Sequence, residues 1–458
     1  MLERIINPKP ILSESRQLFT DSALKAMIIP LLIEQLLQMV VGIADTLMVS
    51  YAGEATVSGV SLDTMLYTIF IYLFTAIATG GAVIVSQYIG SGNRDGADRA
   101  AGQVYRLAGI VSLVCVCVML LLGNSILAKL YPTVDRDVMA ACRTYLWIVT
   151  LSFPANALYN AGAALYRSMG RTRTTMYVSL AMNLLNVIGN AVGVFMLHAG
   201  AAGVAWPTTI SWYFAAIVMT ILCTNPKNSV VLKLKNVLKA DGSMRRRIAG
   251  IAIPTAVENS LFQLAKVILG ALIATFGTSQ IAANGIGQTL WSLAACMCVS
   301  MSPVFTTVIG QCMGAHDVEA AEWYMHKLTG LSLLLAFLWN ALVLIVTPAL
   351  LPLYSITAET KHLVWSIVLI HNCFAAFVQP FSMPLSAGLR AAGDAKFAMW
   401  SSIFATVVCR TLLSFALGLW MGLGVIGIAL AMGMDWCIKG ALNIWRWRSG
   451  KWKQFKLI

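Results

Sequence analysis

Charge is what this chain has least of. Of its 458 residues only 11 % are Asp, Glu, Lys or Arg, against 59 % hydrophobic. Soluble domains carry roughly 25 % charged residues, so a soluble fold would lack the polar side chains to cover its surface. Histidine is scarce too, with five in all. No H-E-x-x-H, G-x-S-x-G or Walker A sequence is present, which argues against metallohydrolase, serine-esterase and direct ATP-driven chemistry. Gly422-Leu-Gly424-Val-Ile-Gly427 matches G-x-G-x-x-G, but no strand precedes it, so it is not a dinucleotide site. The ten cysteines fall almost wholly in apolar segments. Two C-x-C pairs, Cys115/Cys117 and Cys296/Cys298, would point about 200° apart on a helix. They cannot chelate a metal, and all ten thiols are expected to be buried packing groups. No cleavable signal peptide is expected, because residues 1–22 are mixed and polar and the first apolar run is too long.

What the chain does have is apolar runs of bilayer length. Twelve are predicted, at about 24–48, 57–85, 100–123, 140–163, 174–197, 203–223, 248–274, 280–309, 326–348, 362–387, 396–418 and 425–445. In lipid the backbone must satisfy itself, so these are helices. The net charge of +13 does not mean nucleic acid. Of the 32 Lys and Arg, 24 fall on one side of the expected topology, including Arg4, Lys9, Arg167, Arg390 and the C-terminal tail. Four fall on the other side (Lys129, Arg136, Arg143, Lys361), and four lie within spans (Arg106, Lys266, Arg410, Lys439). Basic residues collect on the cytoplasmic side, so both termini are expected there, in an inner (plasma) membrane.

The chain also repeats itself. Pro30/Pro254, Glu34/Glu258, Gly53/Gly277, Gln87/Gln311 and Gly90/Gly314 are each 224 apart, and Arg167/Arg390 and Gly170/Gly393 are 223 apart. The predicted organisation is a six-helix lobe at 1–224, a basic cytoplasmic linker at 225–246 and a second six-helix lobe at 247–458. An even number of spans per half makes the repeats parallel, an arrangement found in transporters with the substrate site near the bilayer midplane. Prolines at 30, 154, 207, 254, 303, 380 and 384 are expected to bend their helices.

Intramembrane acids are costly and are functional hypotheses by default. Glu34, Gln38 and Asp45 share one face of the first span. Glu258, the repeat image of Glu34, sits at mid-depth in the seventh span, where a carboxylate could exchange a proton for a cation. Asp63 lies early in the second span, where solvation at the interface is the alternative reading. Asn183, Asn186 and Asn190 in the fifth span read equally as cavity wall or interhelical glue, with Gly189 and Gly193 allowing close approach. Gln263 joins the cavity candidates. Asp435 and Lys439, at i,i+4, are expected to neutralise each other. His371 is read as a packed or hydrogen-bonded histidine rather than a ligand. Arg410 needs a partner that the sequence does not name.

The segments AVIVSQYIGSGNRDGADRA (82–100) and TVIGQCMGAHDVEAA (307–321) resemble the multidrug and toxic compound extrusion (MATE) family. So do IADTLMVSYAG (43–53), YRSMGRTRTTM (166–176) and LRAAGDAKFAM (389–399), so the resemblance covers essentially the whole chain. It implies an all-α polytopic fold of twelve helices in two lobes with a central cavity. It also implies export of amphipathic organic cations, coupled by alternating access to proton or sodium entry. Asp45 matches the family's first-helix aspartate, and Glu258 in PTAVENSLF the glutamate of NorM-like members. Asn190 stands where DinF-like members often have an aspartate, and the tenth span lacks the acid of NorM-like sodium sites. The coupling ion therefore stays open. The expected function is a secondary active antiporter, not an enzyme. Its coupling groups would be Asp45, Glu258 and Glu34, with sodium at Asp45 or Glu258 an option and no other metal or cofactor. The expected partners are small organic substrates and the bilayer, with no nucleic acid and no obligate protein partner. The nearer alternative is a lipid-linked glycan flippase, which Lys266 and Arg410 favour. The remote one is a membrane-embedded lipid-modifying enzyme.

Overall fold

The computed structural model describes Ser13 and residues 16–132, 134–353 and 356–458. The expected topology anchors Arg4 and Lys9 lie outside the described residues. Among the described residues there is no strand. The first half comprises α1 (Asp21–Tyr51), α2 (Glu54–Gly90), α3 (Arg94–Leu130), α4 (Arg136–Thr150), α5 (Phe153–Ser168), α6 (Thr172–Ala191) and α7 (Gly200–Cys223). A short α8 (Leu234–Leu238) comes next. The second half has α9 (Gly242–Ala274), α10 (Thr278–Gly314), α11 (Val318–Leu350), α12 (Ala358–Phe377), α13 (Gln379–Ser382), α14 (Pro384–Ala391), α15 (Ala395–Ser402), α16 (Thr411–Ser414) and α17 (Gly424–Arg448).

Among the described residues, ten helical stretches can cross a membrane alone, and two bent pairs bring the total to twelve. The pairs are α4 with α5, bent by 48°, and α12 with the stretch 379–391, bent by 60°. They are the fourth and tenth spans, so the break is duplicated with the rest of the unit. Pro154, Pro380 and Pro384 stand at helix starts beyond these breaks, where a missing N–H costs nothing. Pro30, Pro207, Pro254 and Pro303 lie inside helices that run on without a break.

Duplicated residues do duplicated work. Gly53 and Gly277 precede α2 and α10 with φ of 102° and 97°, a backbone that suits glycine. Asn93 caps α3 by accepting from Gly96 N, and Asp317 caps α11 by accepting from Ala320 N. The outer faces are apolar, with Leu121, Ile345 and Trp420 at least 75 % exposed, as lipid-facing residues should be. The cysteine expectation is corrected on the same ground. Cys117 and Cys373 are exposed on this apolar surface, and Cys409 and Cys437 are half-buried.

Two compact units result, an N-terminal one (Lys25–Ala256) and a C-terminal one (Met1–Leu24 with Val257–Ile458). Both boundaries fall inside helices, α1 and α9. In the N-terminal unit, α2 packs on α3, α4 and α5, and α7 packs on α5 and α6. The segment 225–246 is docked on this unit. Gln103 Nε2 donates to the carbonyls of Asn236 and Lys239 at 2.7 and 2.8 Å, and Asp98 Oδ1 accepts from Val231 N at 2.8 Å. Arg106 spends its guanidinium on the carbonyls of Val237 and Leu238. In the C-terminal unit, α10 packs on α11, α12 and α14, and α17 packs on α12 and α13.

Candidate functional site

The N-terminal unit brings three of the expected residues together. Asn190 Nδ2 on α6 donates to Asp45 Oδ1 on α1 at 2.8 Å. One turn earlier on α6, Asn186 presents its amide nitrogen to both Asp45 oxygens, at 2.9 and 3.1 Å, and its oxygen accepts from Thr208 Oγ1 at 3.1 Å. This amide orientation is assigned, because the reverse one would set the Asn186 oxygen against both Asp45 oxygens. Asn190 is fully buried and its Oδ1 has no partner. Asp45 itself is half-buried and makes no ion pair among the described residues. α6 reaches α7 closely enough for this because both helices are glycine-faced there. A Cβ on Gly189 would lie 2.6 Å from Pro207 Cβ, and one on Gly193 would lie 2.8 Å from Gly203 Cα.

The other polar residues of the first span do not join this cluster. Glu34 is buried and accepts from Arg167 Nη2 at 2.8 Å and Thr175 Oγ1 at 3.3 Å. Gln38 is exposed, and Asn183 meets only Ser179 Oγ at 3.5 Å. Asp63 departs from the interfacial reading, because it is fully buried and neither oxygen has a partner among the described residues. Tyr67, Tyr131, Cys142 and Tyr145 lie within its electrostatic reach. Tyr145 also contacts Thr208 and feels Asp45, so polar side chains run from Asp63 towards the Asp45 cluster.

In the C-terminal unit, Glu258 is clamped rather than free. Arg390 Nη2 lies 3.1 Å from Oε2, Lys439 Nζ lies 3.1 Å from Oε1, and Ser402 Oγ donates to Oε1 at 2.5 Å. The expected Lys439–Asp435 pairing is therefore corrected. The long lysine chain reaches Glu258, while Asp435 accepts from Thr406 Oγ1 at 3.1 and 3.2 Å. Gln263 stays on α9 with its Oε1 buried and unpartnered. His371 is buried, with its ring 6.2 Å from Trp436. A separate cavity of about 230 Å³ is lined by Lys266, Asn284, Gln288 and Arg410.

Sequence reasoning missed the roles of Arg167, Arg390 and Thr208. A signal existed for the first two, because the acids Glu34/Glu258 and the bases Arg167/Arg390 recur together at the repeat offset. Glu34 and Glu258 carry no spare charge, so among the described residues Asp45 and Asp63 are left without bases in ion-pair range in one unit and Lys266 and Arg410 without acids in the other.

Comparison with known proteins agrees with this duplicated architecture. The MatE family model matches twice, over residues 30–192 and 254–416, windows offset by the same 224. The uncharacterized transporter YisQ of Bacillus subtilis is 28 % identical over 434 residues, covering 93 % of each chain. The probable multidrug resistance protein NorM of Thermotoga maritima is 23 % identical over 451 residues, covering 98 % of this chain and 95 % of its own. Among solved structures, an outward-facing multidrug resistance MATE family transporter of the MOP superfamily superposes with a TM-score of 0.88 at 19 % identity, covering 94 and 96 % of the two chains. A MOP superfamily transporter from Pyrococcus furiosus, described as having a binding pocket of reverse polarity, gives 0.86 at 19 % identity, covering 94 and 96 %. With its twelve spans, its duplicated half and both halves matched by the model, the chain belongs to the MatE family of membrane transporters.

Proposed function

We propose that this chain is a secondary active antiporter that exports small organic compounds, and that Asp45 takes up the coupling proton or sodium ion. One observation carries the reading. Asp45 is held by the amides of Asn186 and Asn190 with no base in ion-pair range among the described residues, whereas Glu34 and Glu258 already have theirs. Hard cations prefer oxygen ligands, and the carboxylate and the unpartnered Asn190 Oδ1 supply them. A proton on Asp45 satisfies the same cluster. Either ion neutralises the carboxylate and changes what the two amides can bond to. That gives the differential affinity between states on which alternating access depends. The naming of the NorM relative as a probable multidrug resistance protein supports drug-like organic substrates.

Dye efflux in everted vesicles, under an imposed proton gradient and then a sodium gradient, tests the reading and identifies the ion. Asp45→Asn is expected to keep expression and lose gradient-driven efflux. Near-normal efflux by that variant would remove Asp45 from the mechanism. We also place both termini and the 225–246 segment in the cytoplasm of a cell with this chain in its inner membrane, from the distribution of basic residues. Ser229 is exposed on that segment. Ser229→Cys, with native cysteines replaced, should resist a membrane-impermeant thiol reagent in intact cells, and labelling from outside would reverse the topology.

A further inference from the structure

The repeat offset links the Asp45 cluster to a different chemistry in the other unit. Adding 224 carries Asp45 to Leu269, Asn186 to Arg410, Asn190 to Ser414 and Thr208 to Met432. The four counterparts lie in one region. Leu269 and Arg410 line the same cavity, and Arg410 Nη2 lies 3.2 Å from Met432 Sδ. Where one unit has the Asp45 carboxylate and the Asn186 amide, the other has Leu269 and the Arg410 guanidinium. The backbone differs there as well. Residues 403–410 form a π-helical turn ending at Arg410, while the corresponding 179–186 are plain α-helix. The second π segment, 415–420, does have its counterpart at 192–196. Local π segments occur frequently at functional sites.

The cavity lining holds two cationic side chains and two amides, and no carboxylate. Among the described residues Arg410 is 4 % exposed, its Nε has no partner, and one of its terminal nitrogens donates to a thioether. A guanidinium offers five N–H donors and accepts nothing. Lys266 Nζ has no acid in ion-pair range among the described residues and stands 5.2 Å from the centre of the Phe262 ring, with Arg410 5.9 Å from the same ring. Asn284 and Gln288, one turn apart on α10, add two amides that make no side-chain hydrogen bond among the described residues. Asp435 supplies one negative charge near Arg410 but is already bonded to Thr406. Two cations against one acid repel a cationic ligand and suit an anionic one, and a planar guanidinium matches a carboxylate. At about 230 Å³ the cavity is below the roughly 300–1,000 Å³ of sites that enclose a whole drug-sized ligand. It has room for a head group, with Leu269, Ile273 and Ile428 as apolar wall for the hydrocarbon part of the ligand.

We infer that this cavity binds the carboxylate head of an amphipathic organic anion. The inference names a substrate class for the exporter proposed above and rests on that reading for transport, though not for binding. The test uses purified full-length protein and three dyes that share one fluorophore: dansylglycine (anionic), dansylamide (neutral) and dansylcadaverine (cationic). Dansylglycine is expected to bind roughly ten-fold tighter than the other two, as one charge-assisted hydrogen bond would give. Lys266→Gln should remove that advantage, Lys266→Arg should restore it, and dansylamide binding should not change. Gly270→Leu gives an arm that does not disturb a buried charge. A Cβ there meets nothing within 4 Å, and the added side chain should exclude dansylglycine from the space Gly270 lines. Equal binding of the three dyes, or unaltered dansylglycine binding in both Lys266→Gln and Gly270→Leu, would overturn the assignment. So would displacement of dansylglycine by phosphatidylglycerol in nanodiscs and not by free aryl carboxylates, which would make this a lipid site. Loss of anion binding with gradient-driven efflux of other dyes intact defeats this inference alone. Intact anion binding with no efflux under either gradient defeats the transport reading alone.

Discussion

Arg167→Gln tests the duplicated ion pairs at their more vulnerable copy. Glu34 is 1 % exposed and its one ion-pair partner among the described residues is Arg167, at 2.8 Å. Removing one member of a buried pair costs about 3–5 kcal/mol, because the other charge is left without compensation. Glu258 offers the internal comparison. It is 12 % exposed and held by Arg390 and Lys439, so Arg390→Gln leaves one base in place. The loss there should be nearer about 1–3 kcal/mol, that of a charged hydrogen bond. Glu34→Gln/Arg167→Gln removes both charges and should recover most of the single-variant loss, since neutralising a whole buried pair is often close to neutral. The assay is the apparent melting midpoint of detergent-purified protein, followed by size-exclusion fluorescence after heating. At roughly 2–4 °C per kcal/mol for units of about this size, Arg167→Gln should melt on the order of 10 °C lower. Arg167→Gln melting with the wild type, or the double variant melting no higher than the single, would refute the reasoning.

Two further outcomes come from the geometry. In Gly203→Val, a Cβ would stand 2.8 Å from the Gly193 backbone carbon, and overpacking of this kind costs about 1–3 kcal/mol. The yield of monodisperse protein should fall, while Gly109→Ala, where a Cβ meets nothing within 4 Å, should match the wild type. Outside the spans, the Arg16 guanidinium hydrogen-bonded to Asp317 holds that carboxyl below its ordinary range. A depressed carboxyl stabilises the fold at neutral pH and loses that contribution as pH falls below about 4. Arg16→Gln should therefore lower the melting midpoint at pH 7 and converge on the wild type near the acid limit. An equal gap at both pH values would show that the pair contributes by packing alone.

Much of the architecture was legible in the chain because bilayer insertion is a one-dimensional problem. Run length, backbone self-satisfaction and the side bearing Lys and Arg are properties of consecutive residues. The repeat at 224 was legible for the same reason, and Gly53/Gly277 show what it preserved: a backbone conformation, not a packing choice. The Asp45–Asn190 and Asp45–Asn186 contacts were half legible. The residues could be named as polar and intramembrane, but nothing local paired α1 with α6.

The ion pairs were a matter of tertiary structure. Glu34 meets Arg167 across 133 positions and Glu258 meets Lys439 across 181, so helix packing decides them, and it overrode the local i,i+4 choice of Asp435 for Lys439. Packing likewise enclosed Asp63, which lies near a membrane surface in the linear reading. Composition sums charges over the chain, to +13, and gives none of them a partner. The fold assigns each charge a partner or leaves it without one, and so separates an acidic polar interior in one unit from a basic cavity in the other. The sequence by itself determined that this is a twelve-span, duplicated membrane protein, because solvent sorts residues by hydropathy one segment at a time. Which charges remain free to bind an ion or a substrate was decided only when distant helices came together, because electrostatic compensation depends on distance in space.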